Sequence, residues 1–176
     1  MSCSRLYSMI NRIGIRLSKD SVISYIDLAK DASLIFSLDN YYSRQNGREG
    51  TPKYYFEDNG ILNLFLINKD SALLENMVAT ALKRSCREDF FCLKSEKTGI
   101  DIDFYVPESA IAIQAAWSIY DVTAYEREVN NLLKLAESFH EAKRFLIVTA
   151  GEGKTIQEHG VTIEVMPLYR FLLQMP

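Results

Sequence analysis

Residues 110–117 (Ala-Ile-Ala-Ile-Gln-Ala-Ala-Trp) are almost unbroken in apolar side chains. A strand with one wet face alternates apolar and polar, whereas a strand at the centre of a sheet is covered on both faces and reads as a continuous run. This one segment therefore demands a layered α/β domain. Further strands are read at Phe90–Leu93, 100–106, Phe145–Thr149 and Val161–Val165. A helix over about 71–85 has Leu74, Met77, Val78, Ala81 and Leu82 on one stripe, with Ser71 as its cap and Glu75 at the stripe's border. A second opens on the capping box Thr123-Ala124-Tyr125-Glu126 and presents Tyr125, Val129, Leu132, Ala136 and Phe139 on a shared face. Pro167 starts a short final helix through Leu173. The order αβββαβ, with an extra strand and helix, is that of a restriction-endonuclease-like mixed sheet with flanking helices.

The front of the chain is patterned differently. Leu6, Met9, Ile10 and Ile13 recur at helical spacing until Gly14. Ser18 caps a second helix over about 19–31, with Val22, Ile23, Ile26 and Leu28-Ala29 inward. A strand at Leu34–Leu38, a turn-rich loop at 46–52 and a returning strand at Lys53–Phe56 complete the order helix, turn, helix, two-stranded wing. The expected division is a winged-helix-like segment at 1–53 and a nuclease-like domain at 54–176. Charge divides the same way. Residues 1–53 carry 8 Lys/Arg against 5 Asp/Glu, and residues 54–176 carry 12 against 18. A basic front end suits contact with nucleic acid, although ordinary solvated surface explains so small an excess equally well.

Composition narrows the function classes. An apolar content of 48% and a charged content of 24% are those of a globular chain. No stretch approaches the roughly 20 apolar residues of a membrane span, and residues 1–15 lack an uninterrupted apolar signal core, so the expected location is the cytoplasm. Cys3, Cys86 and Cys92 form no Cys-x-x-Cys, and His140 and His159 stand at no zinc-site spacing from them. Reduced thiols are expected. Gly151-Glu152-Gly153-Lys154-Thr155 looks like the end of a phosphate loop, but Val148 stands where the first glycine belongs and a strand pattern follows. It reads as a polar hairpin turn.

The chemistry-bearing residues lie on three separate segments. On the strand 100–106, alternation places Asp101 and Asp103 on one face, and on 110–117 it places Gln114 and Ala116 on one face. Metal-dependent nucleases of the PD-(D/E)xK type hold their ion with an Asp at one strand's end and the Glu of a Glu-x-Lys on the next, and the Lys stabilises charge on the attacked phosphate. Here Gln114 stands for that Glu and Ala116 for that Lys. The candidates for a degenerate catalytic site are thus Glu75, Asp103 and Gln114. Glu75 and Asp103 are the candidate ligands, and Mg²⁺ the candidate cofactor. The plainer reading makes Asp101 and Asp103 a strand's solvent edge and Glu75 a helix flank. Trp117, Tyr120 and Tyr125 could stack bases or simply pack the rim.

At Lys53-Tyr54-Tyr55-Phe56-Glu57-Asp58-Asn59-Gly60-Ile61-Leu62-Asn63, Leu73-Leu74-Glu75-Asn76, Ile102-Asp103-Phe104-Tyr105-Val106 and Ile113-Gln114, the chain resembles the uncharacterised C-terminal domain of bacterial and archaeal AAA-type ATPases. The resemblance implies a P-loop ATPase module ahead of a winged helix and a PD-(D/E)xK-like domain, with the ATPase module missing from this sequence. It implies a non-catalytic recognition or regulatory portion that binds DNA or protein. The alternatives are a weak Mg²⁺-dependent DNA nuclease and an interaction or oligomerisation module that touches no nucleic acid. Candidate partners are DNA, an ATPase module or another protein. If DNA is bound, Lys19, Ser21 and Ser24 on the second helix and Arg44 and Arg48 in the wing are the contacts expected.

Overall fold

The computed structural model describes residues 3–45, 51–66 and 70–174. Its centre is a six-stranded mixed sheet in the order β3-β4-β5-β6-β8-β7, built from β3 (Phe91–Ser95), β4 (Ile100–Val106), β5 (Ile111–Ala115), β6 (Arg144–Thr149), β7 (Lys154–Glu158) and β8 (Val161–Pro167). β4 lies antiparallel to both β3 and β5, β6 lies parallel to β5, and β8 lies parallel to β6. β5 is buried at every position, as its continuous apolar run requires.

Two separate cores sandwich the sheet. On one face, α5 (Asp70–Cys86) sets Leu74, Val78, Ala79 and Leu82 against Phe104, Ile113 and Val148, and α7 (Leu168–Gln174) adds Phe171. On the other, α6 (Val122–Ser138) sets Val129, Leu132 and Leu135 against Ile102, Ala112 and Ile147. The N-cap of α6 is Asp121, whose carboxylate accepts from Thr123 N at 2.9 Å and Ala124 N at 3.2 Å, rather than Thr123. The aspartate wins because its acceptor is charged and reaches two free amides at once.

The N-terminal segment consists of α1 (Cys3–Arg12), α2 (Lys19–Asp31), β1 (Ile35–Leu38), α3 (Tyr41–Gln45), β2 (Lys53–Phe56) and α4 (Asn59–Phe65). Ser18 caps α2 as expected, its hydroxyl accepting from Ser21 N at 3.0 Å. Only Val22 is buried on that helix, and Ile23 and Leu28, expected inward, are 42% and 61% exposed. α2 touches chiefly α1 and β1, so only one narrow face is covered. β1 and β2 pair antiparallel, and Phe36, Leu38 and Tyr55 join the core of α5. α3 was not expected inside the wing. Its Tyr41 and Tyr42 pack edge-on against Phe139 at the rim of the opposite core.

The Gly151–Gly153 segment leads into an edge strand, β7, instead of being the hairpin turn itself. The two-residue turn is His159-Gly160, with φ of 50° and 77°. Two successive positive φ values suit the twist of a tight hairpin, and glycine takes one of them without strain. No described helix is long and apolar enough to cross a membrane.

Candidate functional site

β2 presents Lys53 and Tyr55 to one side, as residues two apart on a strand must be. Lys53 Nζ donates to Asp103 Oδ1 at 2.8 Å and lies 3.7 Å from Glu75 Oε1. Both carboxylate oxygens address one nitrogen, so they are at most 6.5 Å apart. Tyr55 OH donates to Glu75 Oε1 at 2.8 Å. The helix residue and the strand residue singled out from the sequence are thus brought together, through a lysine from a third element.

A β-bulge aims Asp103. Phe91 faces Tyr105 and Leu93 faces Ile102, so Asp103 and Phe104 together oppose the single Cys92. Such an extra residue bends the strand and redirects a side chain. Ile100 and Ile102 join the α6 core, Phe104 and Val106 join the α5 core, and Asp103 is left facing Glu75 and Lys53. Its second oxygen accepts from Ala115 N at 3.1 Å.

Gln114 is adjacent but otherwise engaged. Its Oε1 accepts from Asp103 N at 2.9 Å and its Nε2 donates to Asp101 O at 3.1 Å. The amide stands in for a peptide group just beyond the last β4–β5 pair, Phe104 with Ile113, and it is only 2% exposed. Ala116 belongs to the α6 core. Asp101 pairs with Lys94, at 2.6 Å, on the outer strand.

Asn76 fixes β2 over the helix. Its Oδ1 accepts from Phe56 N at 2.8 Å, and its Nδ2 donates to Phe56 O at 3.0 Å and to Asn59 Oδ1 at 2.7 Å. Asn59 in turn donates to Leu73 O at 2.9 Å, Asp58 caps α4 and Glu57 pairs with Lys83. Nothing in the sequence alone assigns a role to Lys53, Tyr55 or Asn76. Lys-x-Tyr alternation on a strand was the available signal, but which distant carboxylates it meets is a tertiary fact.

The electrostatics follow from this geometry. Burial raises the Glu75 carboxyl above its ordinary value, Asp103 adds to that, and Lys53 and Tyr55 oppose it. Burial alone would lower Lys53, but Asp103 and Glu75 outweigh it and hold the ammonium above the usual lysine range. Burial, then Glu75 and Asp103, push the Tyr55 phenol up. Buried Glu128 on α6 is raised by burial against the pull of Arg127, its partner at 2.5 Å.

These directions give a pH dependence. A carboxyl whose folded pKa is raised contributes stability that is complete below its ordinary 4.5 and lost as pH rises through the raised value. Lys53 contributes at all pH below its ordinary 10.5 and loses its contribution only above it. Glu75→Gln, which keeps an acceptor for Tyr55, is therefore expected to compare more favourably with the parent at pH 7 than at pH 4. Urea unfolding of both proteins at the two pH values measures this, and a larger relative benefit at pH 4 would contradict it.

Mg²⁺ does not fit this arrangement. It requires near-octahedral oxygen ligands at about 2.1 Å, and here an ammonium stands between the two carboxylates while the Gln114 amide is spent on β4. Among the described residues no group of three or more His, Cys, Asp or Glu side chains converges as a metal would need.

The described residues among those expected to meet DNA lie on α2 and α3. Lys19 and Ser24 are exposed on α2, and Ser21 is partly buried with its hydroxyl on Ser18 at 2.8 Å. Arg44 lies on α3 with its guanidinium 4.8 Å from the centre of the Phe91 ring. Arg48 lies outside the described residues.

No family model matches the chain, and no solved structure matches it. It is similar to an uncharacterised protein of Methanocaldococcus jannaschii, 20% identical over an alignment of 186 positions that spans 98% of this chain and 41% of that protein. The chain thus spans less than half the length of this relative.

Proposed function

We propose that the chain is a non-catalytic recognition and regulatory portion of an AAA-type ATPase, with a restriction-endonuclease-like domain whose metal site has become an internal ion-pair latch. The observation that carries this reading is the Lys53 ammonium, 2.8 and 3.7 Å from the two carboxylates, in the place a divalent ion would need. The latch ties the β1–β2 hairpin to α5 and β4 instead of activating water. The ordered motifs that resemble those of ATPase C-terminal domains, and a relative more than twice as long, support the association with a further module.

Protein is the favoured partner. The exposed helix α2 carries Asp20, Asp27 and Asp31 against Lys19 and Lys30, so it does not offer phosphate a net positive surface. It also exposes Tyr25 and Leu28 at adjacent helical positions, which suits a protein contact.

Catalytic silence is the test. Purified protein with 10 mM Mg²⁺ or Mn²⁺, about ten times a millimolar-range site's need, is expected to leave linear, supercoiled and single-stranded DNA intact over hours. Calorimetric titration with Mg²⁺ should give no heat beyond dilution. Metal-dependent cleavage that disappears in Asp103→Ala would promote the nuclease reading in its place.

A further inference from the structure

A cleft of about 670 Å³ lies between two strand edges and involves neither Lys53 nor its carboxylates. One wall is β1 and the other is the approach to β3. At the apex the walls touch: Asn40 bridges to Cys92 in parallel, and Cys92 N donates to Asp39 O at 3.0 Å. The Asn40 side chain clasps the backbone of Lys94, donating to its O at 2.7 Å and accepting from its N at 3.2 Å. Away from this apex the two segments part around a wedge.

The backbone of β1 is turned toward that wedge at alternate residues. Glu57 N donates to Leu34 O at 3.1 Å, in the register that pairs Phe36 with Tyr55 and Leu38 with Lys53. Antiparallel strands exchange bonds at every second pair, so Phe36 and Leu38 address β2 while Ile35 and Ser37 direct N–H and C=O outward. Asp39 O takes the same outward direction to reach Cys92. Among the described residues, Ile35 and Ser37 have no hydrogen-bond partner on that side. Phe36, Phe90 and Phe91 form a mostly buried floor, with Lys83 over the Phe36 ring and Arg44 over the Phe91 ring. The rim carries both signs, Lys30 and Arg87 with Glu88 and Asp89 among them, so it offers no net attraction to a phosphate backbone.

We propose that this wedge is a strand-addition site that takes an extended segment of a partner polypeptide alongside β1. Main-chain bonds from Ile35 and Ser37 would hold the segment, and its alternate side chains would meet the mixed-charge groups that line the wedge, Arg44 and Lys83 among them. The proposal rests on the reading of the chain as a protein-recognition module and names the form of the partner. A chain that cut DNA would fail the earlier test and could still pass this one, so the two failures are distinguishable.

The experiment pans the intact chain against a displayed library of random 12-residue peptides and measures the best synthetic binder by fluorescence polarisation. Ser37→Pro removes an outward N–H while sparing the β1–β2 ladder, and proline is tolerated on edge strands. The expected result is a tenfold or greater loss of affinity in Ser37→Pro. The unaltered protein should show a similar loss toward the peptide N-methylated at one alternate set of amides. Hydrogen exchange should find the Ile35 and Ser37 amides fast in the free chain and slow with peptide, with Phe36 and Leu38 slow in both. Recovery of no binder, or binding indifferent to Ser37→Pro and to both N-methylation patterns, would overturn the proposal. Protection of Ile35 and Ser37 in the free chain would also overturn it, because a second copy or the chain itself would then fill the wedge.

Discussion

Lys53→Met is expected to lower the unfolding free energy by roughly 3 kcal/mol, the scale for removing one member of a mostly buried charge cluster. Methionine nearly fills the space of the lysine stem but leaves Asp103 and Glu75, 19% and 33% exposed, facing each other without a cation. Part of the loss is repulsion and part is the unmet desolvation of two carboxylates. Adding Asp103→Asn and Glu75→Gln should restore most of the stability, because neutral amides do not repel. The opened pair should also acquire a response to metal: with a millimolar site, 10 mM Mg²⁺ would return about 1.4 kcal/mol to Lys53→Met and nothing to the parent. Urea unfolding followed by circular dichroism and by the fluorescence of the single Trp117 measures each quantity. A Lys53→Met protein as stable as its parent and indifferent to Mg²⁺ would show that the lysine is not the counterion of this site.

The mixed sheet was legible because β5 is an uninterrupted apolar run and the two covering helices carry 3.6-residue stripes. Asp103 and Glu75 were legible as candidates because carboxylates bordering buried faces are conspicuous. What joins them was not. Lys53 lies 22 residues before Glu75 and 50 before Asp103, and nothing in its local pattern says that the β1–β2 hairpin lies over α5. The bulge that turns Asp103 is an extra residue in one strand, invisible until the partner strand is known. α3 was hidden because Tyr41-Tyr42-Ser43-Arg44-Gln45 is too short for a periodic signal and is held by tertiary packing of its tyrosines. Asn76 falls among apolar neighbours on α5, where its role is set by the backbone of β2.

Writing Glu-x-Lys into β5 through Gln114→Glu with Ala116→Lys is expected to unfold the protein without giving it nuclease activity. The Gln114 amide donates to Asp101 O as well as accepting from Asp103 N. A carboxylate there would set oxygen against oxygen in a position 2% exposed, at a cost of roughly 3–5 kcal/mol. Ala116, 3% exposed, faces the apolar cluster that contains Leu132 and Ile119, so a lysine must overpack that core or bury its charge. Together the two changes consume much of the roughly 5–15 kcal/mol that holds a domain folded. The Gln114→Glu single variant supplies the finer measurement. Only a protonated Glu can donate to Asp101 O, so its folded pKa must be raised, and its deficit against the parent should shrink as pH falls toward 4. Denaturation of both variants across pH, with DNA cleavage measured alongside, decides the matter. A folded double variant that cuts DNA with Mg²⁺ and needs Asp103 would mean that the buried face of β5 can open onto the carboxylates. The latch would then be a site awaiting two residues, and the binding reading would lose its main support.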